Sequence, residues 1–411
     1  MRASGGKVGL ALAGGGPLGG IYEIGALSAL SEAIDGIDFN DLDIYVGVSA
    51  GSFVAAGLAN GLRPLEMVRM FIESETADEP FEPALLLKPA LEEYADRAGM
   101  VPALILNAVR RYLEDPAGRG FWDAFQRLSR ALPTGLFSGA EIEKFLQRLF
   151  SAHGRTNDFR RLERRLYLVA TDLDSGRAVA FGGPGHDGVP ISTAIRASSA
   201  LPGLFSPVEI DGRHYVDGAL QKTLHASVAL REGAGLVFCI NPLVPYDDTK
   251  LSRTGALPPL VSGGLPVVLG QTFRAMIHSR LTTGLRKYDS EFAGADVVLV
   301  EPQPGDAYVF FSSIFSYANR RKLCEHAYQR TRAHLLERRE ELAPMLARHG
   351  ARLNLGVLRK RGLRLVRPDY HRRVLSRPQK TLARLADTLH DLEHWLRLER
   401  ARSSWPRARA G

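Results

Sequence analysis

Tyr45-Val46-Gly47-Val48-Ser49-Ala50-Gly51 is the most informative stretch of this 411-residue chain. Apolar residues lead into it and small, helix-compatible residues follow it, so the pattern predicts a buried strand, a sharp turn and a helix. The turn carries Gly-x-Ser-x-Gly, in which Gly47 and Gly51 let neighbouring backbones approach a strained turn that exposes the serine hydroxyl. The flanking strand and helix favour Ser49 as a nucleophile over the other common role of such a serine, an N-cap.

A second glycine-rich turn lies one strand earlier in the chain. Residues 8–13 form a continuous apolar run, typical of a parallel strand covered on both faces, which ends at Gly14-Gly15-Gly16-Pro17-Leu18-Gly19-Gly20. A helix is predicted from about Ile21 to Ile34. Glycine backbone at a helix N-terminus directs N–H groups and the positive end of the helix dipole at an anion. That anion is either a pyrophosphate or the oxygen of a tetrahedral intermediate.

Two interpretations of this turn therefore compete. Gly14-x-Gly16-x-x-Gly19 matches the dinucleotide fingerprint, which predicts an oxidoreductase with Asp38, Asp41 or Asp43 as the acid about 20 residues later. The elbow serine favours the second interpretation, in which the turn forms an oxyanion hole for Ser49. Only one strand precedes the elbow, which argues against an α/β-hydrolase, where several strands precede it.

The candidate base is Asp217, in Asp217-Gly218-Ala219 at the end of a predicted strand. A carboxylate with the ordinary pKa of about 3.9 is a poor base, but burial would raise its pKa toward the working pH. A structural Asp-Gly turn is the competing interpretation. His186, His214 and His225 are alternative partners for Ser49, and we expect each of them to be structural.

Taken in order, these motifs resemble the patatin-like phospholipase family. The resemblance rests on Gly14–Gly19, Gly47–Gly51 and Asp217–Ala219, and residues 197–202 (Ala-Ser-Ser-Ala-Leu-Pro) resemble the family's fourth block. It covers about residues 6–330. It implies a Ser49–Asp217 dyad that hydrolyses acyl esters of phospholipids and related lipids, without a cofactor or a metal. Leu18 departs from the family pattern, in which many members carry Arg or Lys, and this departure bears on substrate class and rate.

The resemblance also implies a fold and a set of supporting residues. The expected fold is a three-layer α/β/α sandwich of the patatin-like type. Backbone around Ser49 is expected to form the rest of the site. The expected oxyanion hole consists of Gly14, Gly15, Gly16, Gly19 and Ala50; Gly47 and Gly51 shape the elbow, and Gly218 and Ala219 form the turn after the acid.

The rest of the chain predicts two additions to this domain. Residues 64–164 show helical spacing without strands, with a capping box at Ser138 and Glu141, and predict a helical insertion over the site. Residues 245–263 read as a loop, and residues 256–277 as a mobile loop before a helix or, alternatively, an interfacial or lid segment. Together with the insertion, residues 245–275 are expected to shape an acyl groove. We expect an acyl-hydrolase domain over 1–330 and a basic helical extension over 331–411.

Charge and composition indicate the partners. The net charge is +8, and residues 351–411 contain sixteen Arg or Lys against five Asp or Glu. This basic extension predicts an anionic partner, which is a membrane surface, a nucleic acid or an acidic protein. A solvated pair of basic helices with no specific partner is the competing interpretation. The extension also leaves open a membrane-docking regulatory protein with a weak hydrolase site. Leucines over 382–396 form a seam for a partner helix, and His390-Asp391-Leu392-Glu393-His394 is a weak zinc pattern, more typical of a solvated helix face.

Location and substrate complete the expectations. Two cysteines are too few for a disulfide framework, and Cys239 lies in an apolar run that predicts burial. We recognise no signal peptide and no apolar stretch of about 20 residues, so a cytoplasmic protein, or one peripheral to a membrane, is expected. The expected substrate is a lipid or fatty-acyl ester, with no specific nucleic acid, and the oligomeric state is left open.

Overall fold

The computed structural model describes residues 6–73, 134–247, 260–306, 308–309 and 319–366. These residues belong to one compact unit that ends at Val366. The leucine seam and the His390–His394 pattern lie outside the described residues, as does most of the basic extension.

Strands and helices alternate through the first part of the described chain. The strands are β1 (Lys7–Leu12), β2 (Ile34–Asp35), β3 (Ile44–Val48), β4 (Gly135–Phe137), β5 (Arg165–Asp172), β6 (Ala178–Phe181), β7 (Gly203–Phe205), β8 (Val208–Ile210), β9 (Arg213–Asp217), β10 (Ala234–Ile240), β11 (Asp296–Val300) and β12 (Arg352–Leu353). The α-helices are α1 (Gly16–Ala33), α2 (Ala50–Ala59), α3 (Pro64–Met67), α4 (Ala140–Ser151), α5 (Ile191–Ser198), α6 (Ala226–Arg231), α7 (Gly264–Glu291), α8 (Arg320–Glu337), α9 (Arg339–Arg348) and α10 (Leu355–Arg359). A π-helical turn over Val68–Glu73 follows α3.

The central sheet has eight strands within the described residues, in the order β11-β10-β1-β3-β5-β9-β8, with β6 paired to β5. The five strands from β11 to β5 are parallel, and β6, β8 and β9 pair in antiparallel fashion. The strand predicted before the elbow is confirmed as β3. Because β1 and β3 are neighbours, the turns at their carboxyl ends lie side by side at one edge of the sheet.

Both faces of the sheet are covered, which confirms the three-layer sandwich. Along β1 the side chains alternate between two cores: Leu10 and Leu12 pack with α1, α2 and α8, whereas Ala11 and Ala13 pack with α6 and α7. This double burial explains why the strands read as continuous apolar runs rather than alternating ones. Cys239 is buried in the second core, as predicted.

Helix α1 contradicts the prediction at its first turn. It begins at Gly16 rather than near Ile21, so the glycine-rich turn forms the start of the helix. Pro17 favours this start, because the first turn of a helix needs no N–H donor from it and its fixed φ suits the helix.

Two predictions for the region before residue 164 are wrong. The region contains a strand, β4, which pairs in parallel with β7. A three-residue strand whose partner lies far along the chain leaves no local pattern. The capping box also fails, since α4 begins after Gly139 in the left-handed conformation (φ 59°) with no side-chain cap. Ser138 then lies one residue too early to cap. Residues 74–133 of the predicted insertion are outside the described residues.

Two predictions for later parts of the chain also change. Residues 264–277, predicted as loop, form the start of α7, where Pro266 lies in the first turn and its missing N–H costs no hydrogen bond. The predicted domain boundary at residue 330 falls inside α8, whereas the compact unit continues to Val366. In the ranges that are described, no helix is both long enough and apolar enough to cross a bilayer.

The crossing of α1 and α8 depends on the absence of a side chain at Gly25. A methyl group there would lie 2.4 Å from the carbonyl oxygen of Cys324 and 3.0 Å from Ala327 Cβ. Backbone cannot move away as the end of a flexible side chain can. The two helices are therefore held at a separation that only glycine permits.

We expect Gly25→Ala to lower the free energy of unfolding by about 1–3 kcal/mol, because the added methyl overpacks a helix crossing. Gly284→Ala is the matched control, since Gly284 also lies inside a helix and a methyl there meets no atom within 4 Å. The control should be neutral or stabilise by up to about 1 kcal/mol. Urea denaturation of both variants measures the difference, and equal midpoints would contradict this account.

Candidate active site

Ser49 lies in the turn between β3 and α2 with a backbone φ of 52°. A non-glycine residue in this left-handed region is strained. The glycines on either side allow the crowding that holds the strain: a methyl at Gly47 would lie 2.4 Å from Ser52 Cα, and one at Gly51 would lie 2.6 Å from the carbonyl oxygen of Leu12. The sequence motif is thus a true elbow, with α2 beginning at the residue after the serine.

Ser198 fixes the elbow to the neighbouring strand. Its hydroxyl accepts a hydrogen bond from the Ser49 N–H at 2.9 Å and donates one to the Val169 carbonyl oxygen at 2.6 Å. Ser198 is fully buried at the end of α5, so both bonds are shielded from water. The Ser52 hydroxyl also donates to the Ser49 carbonyl oxygen. Side chains therefore hold both backbone polar groups of the strained residue.

Asp217 is the last residue of β9, and its carboxyl group is buried. The Asp217 N–H donates to the Ala200 carbonyl oxygen at 3.0 Å, and Thr171 Oγ1 donates to the Asp217 carbonyl oxygen at 3.1 Å. One carboxylate oxygen accepts the Ala219 N–H at 2.8 Å. The backbone of this aspartate is thus fixed from two sides while its carboxyl group has one backbone donor.

Burial raises the pKa of Asp217 to about 6, although the Ala219 N–H and the Ser49 hydroxyl both lower it. Desolvation penalises the charged carboxylate more than these two donors stabilise it. The Ser49 hydroxyl is near enough to the Asp217 carboxyl group to be one of the two groups that lower its pKa. The fold therefore brings together two residues separated by 168 positions, as a serine beside a carboxylate that is more basic than usual.

The three candidate histidines lie elsewhere. His214 is exposed and faces Asp174, with 3.9 Å between Nδ1 and the carboxylate, and His186 packs edge-on against Phe181. His225 is buried, and burial lowers its pKa to about 4, although the backbone of Gly218 and Lys222 raises it. Among the groups that shift the pKa of Asp217, none is an imidazole.

Five N–H groups were predicted for the oxyanion hole, and two of them donate inside the protein. The Gly14 N–H donates to the Thr223 carbonyl oxygen at 3.2 Å, and the Gly19 N–H donates to the Gly15 carbonyl oxygen at 3.0 Å. The N–H groups of Gly15, Gly16 and Ala50 remain as candidate donors to an oxyanion. Gly16 and Ala50 are the first residues of α1 and α2, where N–H groups have no acceptor within the helix.

Gly14 still shapes the site. A methyl group at this position would lie 3.1 Å from Ser49 Cβ and 3.1 Å from Ala219 Cβ. The glycine-rich turn therefore passes directly against both the serine and the turn that follows Asp217. Gly218 has a similar role, since a methyl there would lie 2.2 Å from the Val169 carbonyl oxygen.

Asp41 and Asp43, two acids of the dinucleotide interpretation, lie at the edge of the sheet where the parallel strands begin. The glycine-rich turn lies at the opposite edge, where these strands end. Asp43 accepts the Val8 N–H at 2.8 Å, near the start of β1, and Asp41 pairs with Arg164. Six residues of extended chain separate Val8 from Gly14, a distance of about 20 Å. These carboxylates therefore cannot bind the ribose of a nucleotide whose phosphates lie on the glycine-rich turn.

Residues 197–202 have a role that sequence reasoning did not assign. Ser198 holds the Ser49 N–H and Ala200 holds the Asp217 N–H, so one segment fixes both members of the pair. The available signal was the resemblance of these residues to the fourth block of a family. Nothing in their composition indicates contact with a serine 149 residues earlier.

The fold and the site together define an α/β/α protein with an elbow serine beside a buried carboxyl group. The sequence profile of the patatin-like phospholipase family matches residues 10–230, more than half of the chain. The chain therefore belongs to the patatin-like phospholipase family, whose general activity is lipid acyl hydrolysis.

Two curated relatives share about a quarter of the aligned residues with this chain. An uncharacterized protein of Acanthamoeba polyphaga mimivirus is 25% identical over 224 residues, which cover 54% of this chain and 60% of the relative. An uncharacterized NTE family protein of Mycobacterium tuberculosis (strain CDC 1551 / Oshkosh) is 26% identical over 261 residues, which cover 64% of this chain and 34% of the relative. The chain thus spans one-third to three-fifths of the length of these relatives.

Two solved structures align with most of the chain. VipD from Legionella pneumophila aligns with 79% of this chain and 68% of its own, at 15% identity and a TM-score of 0.34. The type III effector protein ExoU aligns with 82% of this chain and 54% of its own, at 16% identity and a TM-score of 0.31. Superpositions at this level do not define the fold, which the family match and the strand order establish.

We expect the Asp217 carboxyl to titrate near pH 6 in the folded protein, neutral below and charged above, because burial disfavours the charge. The folded state then binds this proton more tightly than the unfolded chain. This group therefore lowers the free energy of unfolding as the pH rises from about 4 to about 6. Carboxyl ¹³C NMR follows the titration, and Asp217→Asn should delete the signal. Titration at the ordinary value would show a solvated carboxyl.

Proposed function

We propose that this chain is a serine acyl hydrolase that acts on lipid or fatty-acyl esters, with Ser49 as nucleophile and Asp217 as proton acceptor. One observation carries the proposal: the strained elbow serine lies beside a buried carboxyl whose pKa is raised to about 6. At neutral pH such a carboxylate is charged and is a stronger base than a solvated one. Family membership supports the same chemistry.

In the first half of the reaction, Ser49 Oγ attacks the ester carbonyl carbon while the Asp217 carboxylate accepts the hydroxyl proton. The carbonyl oxygen becomes an oxyanion. Collapse of this intermediate breaks the bond to the alcohol, which leaves with the proton from Asp217. The product of this half is an acyl ester on Ser49.

The oxyanion is stabilised by N–H groups that are oriented before the substrate arrives. We assign this role to Gly15, Gly16 and Ala50, the donors left after Gly14 and Gly19 bind carbonyl oxygens. Helices α1 and α2 begin at Gly16 and Ala50, so the positive ends of two helix dipoles lie at the same place. Each well-directed donor is worth about 3 kcal/mol of transition-state stabilisation.

In the second half, water attacks the acyl-enzyme while Asp217 accepts a proton from it. The tetrahedral intermediate again places its negative oxygen on the same N–H groups. The bond to Ser49 Oγ then breaks, the serine takes the proton back from Asp217, and the fatty acid leaves. The hydrogen-bonded backbone of both residues keeps their geometry through the cycle.

The proposal extends to place and partners. We propose a cytoplasmic protein, peripheral to a membrane, whose substrate is a lipid or fatty-acyl ester. Both cysteines, Cys239 and Cys324, are buried free thiols, which fits a reducing compartment. The basic extension, with its sixteen Arg or Lys over residues 351–411, is proposed to favour anionic surfaces.

We expect Ser49→Ala to lose both hydrolysis of p-nitrophenyl esters and labelling by a fluorophosphonate, because both need the nucleophile. Asp217→Asn should lower kcat/KM about 10²–10⁴-fold, since it removes the base. In the wild type, kcat/KM should rise as the pH passes about 6 and the carboxyl loses its proton. A lysophospholipid is the lipid substrate for the same assays.

Asp211→Asn is the matched control for the acid. Asp211 lies in the exposed turn between β8 and β9 at a φ of 51°, a conformation that asparagine tolerates. This variant should hydrolyse the esters at the wild-type rate. Full activity of either Ser49→Ala or Asp217→Asn would end the assignment.

A second pair of variants tests the glycine-rich turn. A methyl at Gly15 would lie 2.7 Å from Pro242 Cγ and 2.8 Å from Gly19 Cα, so Gly15→Ala must displace the proposed donors. We expect kcat to fall at least tenfold, with the fluorophosphonate reaction slowed in parallel. Gly20→Ala is the control in the same helix, because its methyl meets Ala50 Cβ at an ordinary 3.8 Å. Equal kcat for the two variants would remove this turn from the oxyanion hole.

A further inference from the structure

Helix α7 carries a row of apolar side chains that the described residues leave exposed. The row begins in the 3₁₀ turn before the helix and follows one side of its N-terminal half. Its members, called here the α7 apolar face, are Val261 (72% exposed), Leu265 (69%), Val268 (40%), Leu269 (46%), Phe273 (50%) and Met276 (44%). At about 100° per residue the helical members fall within an arc of about 140°. Six exposed apolar side chains in one continuous row are typical of an interaction site.

Contacts with the rest of the protein hold both halves of α7. The α7 apolar face therefore lies on an ordered helix and not on a frayed end. Leu281 and Tyr288 of the C-terminal half are buried in the second core. In the N-terminal half, the Gln271 amide donates to the Tyr246 carbonyl oxygen at 2.7 Å and accepts the Tyr246 N–H at 3.1 Å. The apolar side chains therefore project from a rigid element.

The charge of the helix selects the kind of partner. From Leu260 to Tyr288 the sequence has no Asp or Glu, and it has four cations, Arg274, Arg280, Arg286 and Lys287. At the same angular spacing, Arg280, Arg286 and Lys287 continue the side of the helix that carries the apolar face, and all three are exposed. The exposed side of α7 is thus apolar in its first half and basic in its second. Such a side can place apolar side chains in an anionic bilayer and cations at its phosphates.

The position of α7 beside the proposed catalytic residues also favours a lipid surface. The Arg280 guanidinium donates to the Leu220 carbonyl oxygen at 3.0 Å, and Leu220 ends the turn that begins just after Asp217. Leu220 is itself 38% exposed and adds to the apolar surface next to the site. Tyr246, which binds Gln271, follows the carboxyl end of β10, the edge that also carries Ser49. A bilayer on this face would meet the protein where an acyl ester must enter.

We propose that the α7 apolar face docks on the surface of an anionic phospholipid bilayer, with its apolar side chains among the acyl chains and Arg286 and Lys287 at the phosphates. The choice of lipid as partner rests on the proposed hydrolase function. Docking itself needs no turnover, so the two proposals can fail separately.

The test is co-sedimentation of the full chain with vesicles of phosphatidylcholine and phosphatidylglycerol, and with vesicles of phosphatidylcholine alone. The combined variant Leu269→Glu and Phe273→Glu should bind the mixed vesicles at least tenfold more weakly, since it places charges in the acyl region. Its matched control is Leu65→Glu with Leu173→Glu, which changes two side chains of similar exposure (48% and 53%) outside this helix. The control should bind as the wild type does.

A second pair isolates the charges. Arg286→Gln with Lys287→Gln should weaken binding to the mixed vesicles about tenfold at low salt and change binding to neutral vesicles little. Arg359→Gln with Lys360→Gln is its control, because it removes another exposed Arg-Lys pair, at the end of α10. All variants should keep the wild-type circular dichroism. Arg286→Gln with Lys287→Gln and both control pairs should also keep the hydrolysis of a soluble p-nitrophenyl ester.

Several outcomes would overturn the docking proposal. The first is that the wild-type protein does not sediment with mixed vesicles. The second is that the Leu269→Glu with Phe273→Glu variant binds as well as the wild type. The third is that the Leu65→Glu with Leu173→Glu control loses as much binding as that variant. A further one is a lipid-free dimer that the apolar-face variant converts to a monomer, which would identify a second copy as the partner. Failure of the hydrolase proposal looks different: no variant and no wild-type sample would cleave esters, while vesicle binding followed the predicted order.

Discussion

The site depends on backbone packed so closely that three turns have no room for a side chain. A methyl at Gly51 would lie 2.6 Å from the Leu12 carbonyl oxygen, one at Gly14 would lie 3.1 Å from Ser49 Cβ, and one at Gly218 would lie 2.2 Å from the Val169 carbonyl oxygen. These contacts bring the ends of β1, β3 and β9 together. The strained φ of Ser49 persists because this packing and the Ser198 hydroxyl leave it no alternative.

The same close packing sets the electrostatics of the site. It excludes water from the Asp217 carboxyl, which raises the pKa of that group to about 6. It also places the first residues of α1 and α2 near the serine, where their N–H groups lack acceptors within the helices. Desolvation makes the Asp217 carboxylate more basic, and in the proposed reaction the helix termini would stabilise the oxyanion.

The two faces of the sheet differ in the helices that cover them and in what those helices leave exposed. One is closed by α1 and α8, whose crossing leaves no space at Gly25, and its residues form the larger core. The other is covered by α6 and α7, and α7 keeps apolar side chains exposed on its outer side. The proposed docking surface lies on α7, and α7 contacts the turn after Asp217 through Arg280. The docking surface is therefore connected directly to the proposed catalytic acid. Orientation on a bilayer and access to the serine would then be coupled.

The sequence by itself determined what local pattern encodes: the elbow at Ser49, the strands that read as apolar runs and the glycine-rich turn between a strand and a helix. Local pattern left Asp217 open between a base and a structural Asp-Gly turn, and the resemblance to a family motif favoured the base. Tertiary structure alone decided that Ser198 and Ala200 hold the pair, that the Gly14 N–H donates to Thr223, and that β4 pairs with β7. Each of these is a contact between segments far apart in the chain, and periodicity and propensity carry no information about such contacts.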